Sequence, residues 1–452
     1  MELFGPAYFI REWGKEIPAW TDQPAVPFLY GLIFRLLGES RTFIQAFTTV
    51  LFSLSAAITY LIGKHLWDRE TGAAAGWLFL GIPYLFTQPP LMLVDVPTMF
   101  FFILSVYSFI RAIEAPKLSF WAAVSGAAIF LTLFSKYSTW MMLSVLPVAF
   151  GIIAAKSRAR KAIFRNAGAV LLLSALFSLS FALLKWDVIL AQLKFLSSYQ
   201  VPGLRRWGES FRSTFLFQVH PFITAFALFS FYRALKTRDL KFLIAAFLPV
   251  LVLAAGVRRI RYVIMVFPML ALMASFGLAA IKSAPARRFI VLSVLATSLS
   301  LGLGGFLPYL VKESLVNLKE AGAFLDKTRV PGVEVFTLNT GSPVNPAVAV
   351  PTLDLHTKKD IHYHYEDPFS GTGLPEDLRT SPFRFTWEYR NPSYYERKAL
   401  RAGRAVAVIA TGRDVPLPPG MQKKIAGLKK TARFESATGI FRYQTFVTVY
   451  LP

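Results

Sequence analysis

From residue 41 to 309 the chain alternates long apolar runs with short polar, mostly basic, connections. The runs fall at about 41–63, 72–90, 95–112, 119–135, 138–155, 162–184, 218–234, 240–257, 262–282 and 288–309. Each approaches the roughly 20 residues that a helix needs to cross a hydrocarbon core. The pattern therefore predicts about ten membrane-spanning helices over 41–309. A single lysine, Lys136, divides what would otherwise be one long apolar stretch between two of them.

Either side of this block the pattern changes. The apolar residues VEVFTL (333–338) and AVAVIA (405–410) read as buried strands, and KESLVNLKEAGAFLDKT (312–328) as an amphipathic helix. The closing ARFESATGI and FRYQTFVTVYL segments read as a hairpin-like pair of strands. Residues 310–452 are thus expected to form a small α/β domain. Residues 1–40 lack a basic start followed by an apolar core, so they do not read as a signal peptide. Tyr8, Trp13, Trp20 and Tyr30 are mixed there with prolines and charges, which suits short helices at a membrane interface. An interfacial loop ahead of any span raises the expectation of a further transmembrane helix upstream.

Composition agrees with this reading. Hydrophobic residues make up 54% of the chain and charged residues 17%, against about 25% charge in soluble domains. Mean hydropathy is +0.48. With 42 Phe the chain has ample material for lipid contact and interfacial belts. The absence of cysteine excludes disulfides and thiolate metal sites.

The net charge of +23 is concentrated in residues 1–309, where 29 Lys/Arg stand against 12 Asp/Glu. Five short connections carry most of it: Lys64 and Arg69, Arg111 and Lys117, Lys156 to Arg165, Arg233 to Lys241, and Lys282 to Arg288. Alternation puts all five on one side, which is then the cytoplasm. Residues 1–40, Asp95, the 185–217 loop, Arg258–Arg261 and the 310–452 domain fall on the opposite side. A basic soluble face for nucleic acid is not indicated.

Three polar clusters meet on that outer side. Asp95 sits inside the apolar stretch LMLVDVPTMFFF (91–102), with apolar residues on both sides, where an unpaired carboxylate costs roughly 2.5–3.5 kcal/mol. It reads as a site residue or as a cap on the helix it starts, and the two roles are compatible. Glu2, Glu12, Glu16 and Asp22 lie in the opening loop as further candidate bases, with a solvated helix face alongside Arg11 and Lys15 as the alternative for Glu12 and Glu16. The second cluster is VRRIRYVIMVFPML (257–270), whose Arg258 and Arg261 suit phosphate oxygens while Arg259 suits lipid headgroups. The third is Lys136 with Tyr137, either an anion ligand or a snorkelling side chain. His220 reads as structural. Outward carboxylates and outward cations in a membrane cleft fit one chemistry. The acid deprotonates an acceptor hydroxyl while the cations hold the phosphate leaving group of a lipid-linked donor.

In their order along the chain these segments resemble the GT-C superfamily of multi-spanning glycosyltransferases. That superfamily includes the dolichyl-phosphate-mannose protein mannosyltransferases and the bacterial lipid A aminoarabinose transferases. The resemblance rests on Glu2, the DQPAVPFLYGLIFRLLGES run (22–40), DVPTMFF (95–101), SKYS (135–138) and RYVIMVFP (261–268). It implies a polyprenyl-phosphate sugar as donor and an extracytoplasmic protein, lipid or glycan as acceptor. It also implies Asp95, Glu2 and Asp22 as acidic catalytic residues, and Lys136, Arg258, Arg261 and Tyr262 on the donor phosphate. No cofactor follows from the residues. A divalent metal stays open, since some relatives hold one between acidic residues, although no Asp-x-Asp occurs in this first loop. The competing expectation is a transporter or flippase for an anionic lipid or lipid-linked glycan. An inverted repeat would favour it, and none stands out.

Overall fold

A computed structural model describes residues 6–38, 40–203, 209–308, 316–339, 341–364, 369, 373–388, 404–411, 416–435 and 444–452. The chain divides into two compact units, Met1–Gly305 and Phe306–Pro452.

In the first unit, each of the ten apolar runs carries helix. Among the described residues, six helices are long and apolar enough to cross a membrane: Arg41–Leu66, Asp95–Glu114, Ser138–Lys156, Arg160–Leu184, Ile260–Leu278 and Ala284–Phe306. Phe120–Leu133 and Phe242–Ala254 are shorter apolar helices. The chain is a multi-pass membrane protein. The run expected over 72–90 differs from the others. Its helix stops at Leu80, and a 3₁₀ turn follows over Pro83–Thr87. Gly81 and Pro83 explain the break, because proline has no N–H for the helical ladder.

Burial sorts the helices. Asp95–Glu114 and Ile260–Leu278 are buried almost all round, and Met99, Phe102, Ile103, Phe267 and Leu272 have no exposed surface. Arg160–Leu184 instead turns Leu171, Leu172 and Leu183 outward at 70–75% exposure, as a lipid-facing helix does. Lipid is as apolar as leucine, so close fit rather than water exclusion holds such helices together. Gly72 meets the Arg41–Leu66 helix so closely that a Cβ would lie 2.5 Å from the Tyr60 carbonyl. At Gly277 a Cβ would lie 2.3 Å from the Phe226 carbonyl. Buried Asn166 donates to the carbonyls of Ala112 (3.0 Å) and Ala115 (2.8 Å), satisfying the end of the central helix. His220 is structural, as read: its ring accepts from the Phe222 N–H at 3.3 Å and pairs with Thr297 at 3.0 Å.

The second unit is built on a five-stranded mixed sheet: β1 Gly332–Asn339, β2 Asp360–His364, β3 Ala405–Thr411, β4 Lys429–Glu435 and β5 Thr445–Leu451. The order is β2-β1-β3-β5-β4. β1 runs parallel to β2 and β3, with Val335 opposite Ala407, and β5 runs antiparallel to β3 and β4. The helix Val316–Asp326 joins Leu318, Ala321 and Leu325 to the core formed by Val333, Val335 and Val449. The two central strands, the helix and the closing hairpin lie where the apolar pattern puts them. β2 is the strand that pattern misses, because IHYH is short and reads as polar.

Candidate functional site

The site lies where the Asp95–Glu114 and Ile260–Leu278 helices begin. Asp95 is fully buried. One carboxylate oxygen accepts from the Lys136 ammonium. The other accepts from Arg261 Nε at 3.0 Å and Nη2 at 2.7 Å. Lys136 also donates to the Arg261 carbonyl at 2.9 Å and stands 4.9 Å from the centre of the Tyr262 ring. Three charged residues from three separate stretches of the chain therefore close on one another. Each answers the desolvation of the next: a carboxylate this deep is tolerated when both oxygens are charge-paired.

Local contacts hold the cluster in place. Tyr30 donates to the Leu93 carbonyl at 2.7 Å, just ahead of Asp95. The Ala25 N–H donates to the Phe134 carbonyl at 2.9 Å, tying the opening loop to the Lys136 turn. Glu209 accepts from the Ile260 N–H and so caps the helix that carries Arg261.

A cavity of about 420 Å³ opens beside the cluster. Its lining includes Lys136, Arg259, Arg261 and Tyr262 as well as Asp22, Gln23, Trp20 and Phe195. Arg261 is about one-third exposed, and its Nη1 makes no hydrogen bond among the described residues. Arg259 packs over the Tyr262 ring at 5.2 Å and donates to its hydroxyl at 3.3 Å. The loop bearing Asp22 is pinned at both ends. Trp13 Nε1 donates to the Asp22 carbonyl at 2.9 Å, and Gln192 donates to the Thr21 carbonyl at 2.9 Å. Buried Gln23 and Gln192 bond each other at 2.8 Å. Trp20 packs against Phe195 in a tilted arrangement, ring centres 4.4 Å apart.

Asp22 is the one carboxylate among the described residues that lines this cavity. Its side chain opens to the cavity, yet the surrounding protein strips enough water to push its carboxyl above the ordinary value. Arg261 and Lys136 pull it back, and Asp95 adds to the rise. Desolvation is the largest of these effects.

The expected site residues thus separate. Asp95, Lys136, Arg261 and Tyr262 come together as one cluster, and Asp22 lines the same cavity as Lys136, Arg261 and Tyr262. Two placements differ from expectation. Asp95 was expected as a base facing the reaction. It does not line the cavity, and both its oxygens are engaged, because Lys136 and Arg261 reach it from opposite sides. Arg258 was expected beside Arg261, with Arg259 turned to lipid. Arg258 is exposed and outside the lining, while Arg259 is in it. The helix begins only at Ile260, and Arg259 ahead of it has extended backbone, so helical spacing does not decide which way these arginines face. Glu12 pairs with Arg11 at 2.7 Å and Lys15 at 3.2 Å, as a solvated face would. Glu2 lies outside the described residues. Sequence reasoning missed Arg259, Glu209 and the Gln23–Gln192 pair. The extended stretch before Ile260 could have signalled the first; residue order carries no signal for a contact across 169 positions.

The bundle and the separate sheet unit have a fold seen among solved structures, and part of the chain matches a family model. Residues 21–186 match the family described as dolichyl-phosphate-mannose-protein mannosyltransferase. That stretch contains Asp22, Asp95 and Lys136. Among solved structures, ArnT from Cupriavidus metallidurans in the apo state is similar with a TM-score of 0.55 at 10% identity, over 97% of this chain and 91% of that one. The same protein bound to undecaprenyl phosphate gives 0.52 at 11% identity, over 97% and 92%. The Archaeoglobus fulgidus oligosaccharyltransferase matches at 0.47 and 15% identity over 68% of this chain, which spans about half (47%) of its length. No curated protein sequence matches.

Proposed function

We propose that the protein is a glycosyltransferase that moves a sugar from a polyprenyl-phosphate donor to an acceptor on the extracytoplasmic side. The observation that carries this reading is a single cavity lined by Lys136, Arg259 and Arg261 together with the exposed carboxylate of Asp22. The ArnT structure that binds undecaprenyl phosphate has the same fold, which supports a donor of that kind.

In the proposed reaction an acceptor nucleophile attacks the anomeric carbon in a single displacement. The bond between that carbon and the phosphate oxygen breaks, and its electrons leave with the polyprenyl phosphate. The Asp22 carboxylate takes the acceptor proton; Glu2 is a second candidate for this role. A phosphodiester with one negative charge becomes a monoester with nearly two, so cations gain most as the bond breaks. Arg261 offers a free N–H edge, and Lys136 adds a point charge held by Asp95. Asp95 acts here as a positioning residue: it fixes both cations before the donor arrives. Tyr262 carries Arg259 on its face. The outward location of the 306–452 unit follows from the five basic connections on the other side.

The test is incubation of membranes containing the protein with radiolabelled polyprenyl-phosphate sugar. Label in a new product, lost in Asp22→Asn, is expected. Label that crosses the bilayer while remaining on intact lipid would instead identify a flippase. Protease applied to intact cells should remove the 306–452 unit. Its survival there, with cleavage in inverted vesicles, would reverse the orientation.

A further inference from the structure

A second and larger cavity, about 980 Å³, lies at the far end of the same bundle. Arg261 starts the Ile260–Leu278 helix and Leu278 ends it, so the two sites are about 25 Å apart along that axis. The second cavity has a charged end and an apolar length. Arg69, Arg233, Arg287 and Arg288 line the charged end together with Asp68 and Glu70. Trp77, Val291, Leu292 and Leu295 carry the lining on along two helices, Arg69–Leu80 and Ala284–Leu301.

The acids do not cancel the arginines. Asp68 is spent as a helix cap, accepting from the Thr71 N–H at 2.8 Å and its hydroxyl at 3.0 Å. Glu70 pairs with Arg287. Arg287 is fixed further by donating to the carbonyls of Ile281 (2.7 Å) and Lys282 (3.3 Å). Arg233 donates to the Phe276 carbonyl and lies 4.4 Å over the Phe276 ring. Four cations against two anions leave a net charge of +2, and the exposed Arg69 and Arg288 make no hydrogen bond among the described residues. Two helices also begin at this cavity, directing the positive ends of their dipoles towards it.

The apolar part gives the ligand its second property. Trp77 and Leu292 are 54% and 63% exposed. Val291, Leu292 and Leu295 follow Arg288 at helical spacing, so one stripe runs from cation to hydrocarbon over about 10 Å. A soluble anion would use the arginines and leave the stripe uncovered. We propose that this groove binds an anionic phospholipid, with the phosphate among the arginines and an acyl chain along Trp77 and Leu292. The lipid belongs to the leaflet on the side of the short basic connections, where anionic headgroups gather around clustered Lys and Arg.

The full chain, purified in detergent, would be titrated with dioleoylphosphatidylglycerol or dioleoylphosphatidylcholine and bound lipid counted by native mass spectrometry. Preferential retention of phosphatidylglycerol is expected. Arg69→Gln with Arg288→Gln should weaken it by on the order of thirtyfold, from about 1 kcal/mol per cation. Both positions are exposed, so an unchanged unfolding midpoint without lipid checks the fold. Trp77→Ala with Leu292→Ala should also release the lipid, and Arg261→Ala should leave retention unchanged. Equal retention of the two lipids would overturn the proposal, as would full retention in the double arginine variant. So would loss in Arg261→Ala, which would assign the lipid to the other cavity. If millimolar inorganic phosphate displaced the lipid completely, the site would be one for a free anion and the proposal would again fail.

Discussion

Asp95 and Asp22 feel the same two cations, yet their surroundings give them opposite characters. Asp95 sits at the start of a buried helix with Lys136 on one oxygen and Arg261 on the other. Asp22 sits on a loop held by Trp13 and Gln192, facing a cavity with its carboxyl pushed upwards by lost water. A carboxylate that is fully engaged cannot easily accept a proton, but it can fix the charges around it. One that is half-desolvated and unengaged can accept one. Similar residues in one electrostatic neighbourhood thus divide into anchor and candidate base.

The sharpest way to break this contrast is Asp95→Asn. It leaves Lys136 and Arg261 without their counter-charge, and losing one partner of a buried pair costs about 3–5 kcal/mol. Unfolding of the purified variant should show that loss together with loss of transfer. A fully stable but inactive Asp95→Asn protein would return Asp95 to the role of base. Asp22→Asn is expected to do the reverse, keeping the unfolding midpoint while turnover falls on the order of 10²- to 10⁴-fold. Retained turnover would pass the proton to another group, with Glu2 the next to test.

The arginines extend the comparison at smaller scale. Arg261→Ala should cost about 2–4 kcal/mol of transition-state stabilisation, read from kcat/KM. Arg261→Lys should recover only part, because lysine cannot keep two contacts to Asp95 and still offer an edge to the cavity. Arg259→Ala should weaken donor binding mildly, and Arg258→Ala should do nothing measurable. Equal effects at all three would remove the distinction between cavity and surface. The smallest effect is one of pH. A base whose carboxyl is raised loses activity as pH falls through that raised value, so the acid limb of kcat/KM should lie above about 3.9, the ordinary aspartate value. Asp22→Glu should move that limb, and Glu12→Gln should not.

Much of the architecture was legible because it is local. Apolar runs of near-spanning length mark helices wherever they fold, and all ten carry helix. AVAVIA became β3 because a strand buried on both faces leaves an unbroken apolar run, and VEVFTL became β1 with only Glu334 and Thr337 interrupting its apolar residues. The prolines at 83, 89 and 90 were visible too, and the helix at 69–80 stops short ahead of them. Burial itself was not legible. Arg160–Leu184 and Asp95–Glu114 both read as apolar enough to span, and only packing turned one to lipid and the other to the core.

The sequence by itself determined a multi-helix membrane protein with an α/β tail, and it singled out Asp95, Lys136 and Arg261 as charges too deep to be idle. That followed from the cost of burying an ion, which depends on composition nearby. Only the tertiary structure decided who satisfies whom. Asp95 meets Lys136 across 41 positions and Arg261 across 166, while Arg259 enters the cavity and Arg258 does not. Those outcomes depend on how separate helices pack, and a pairing over such distances leaves no trace in local periodicity.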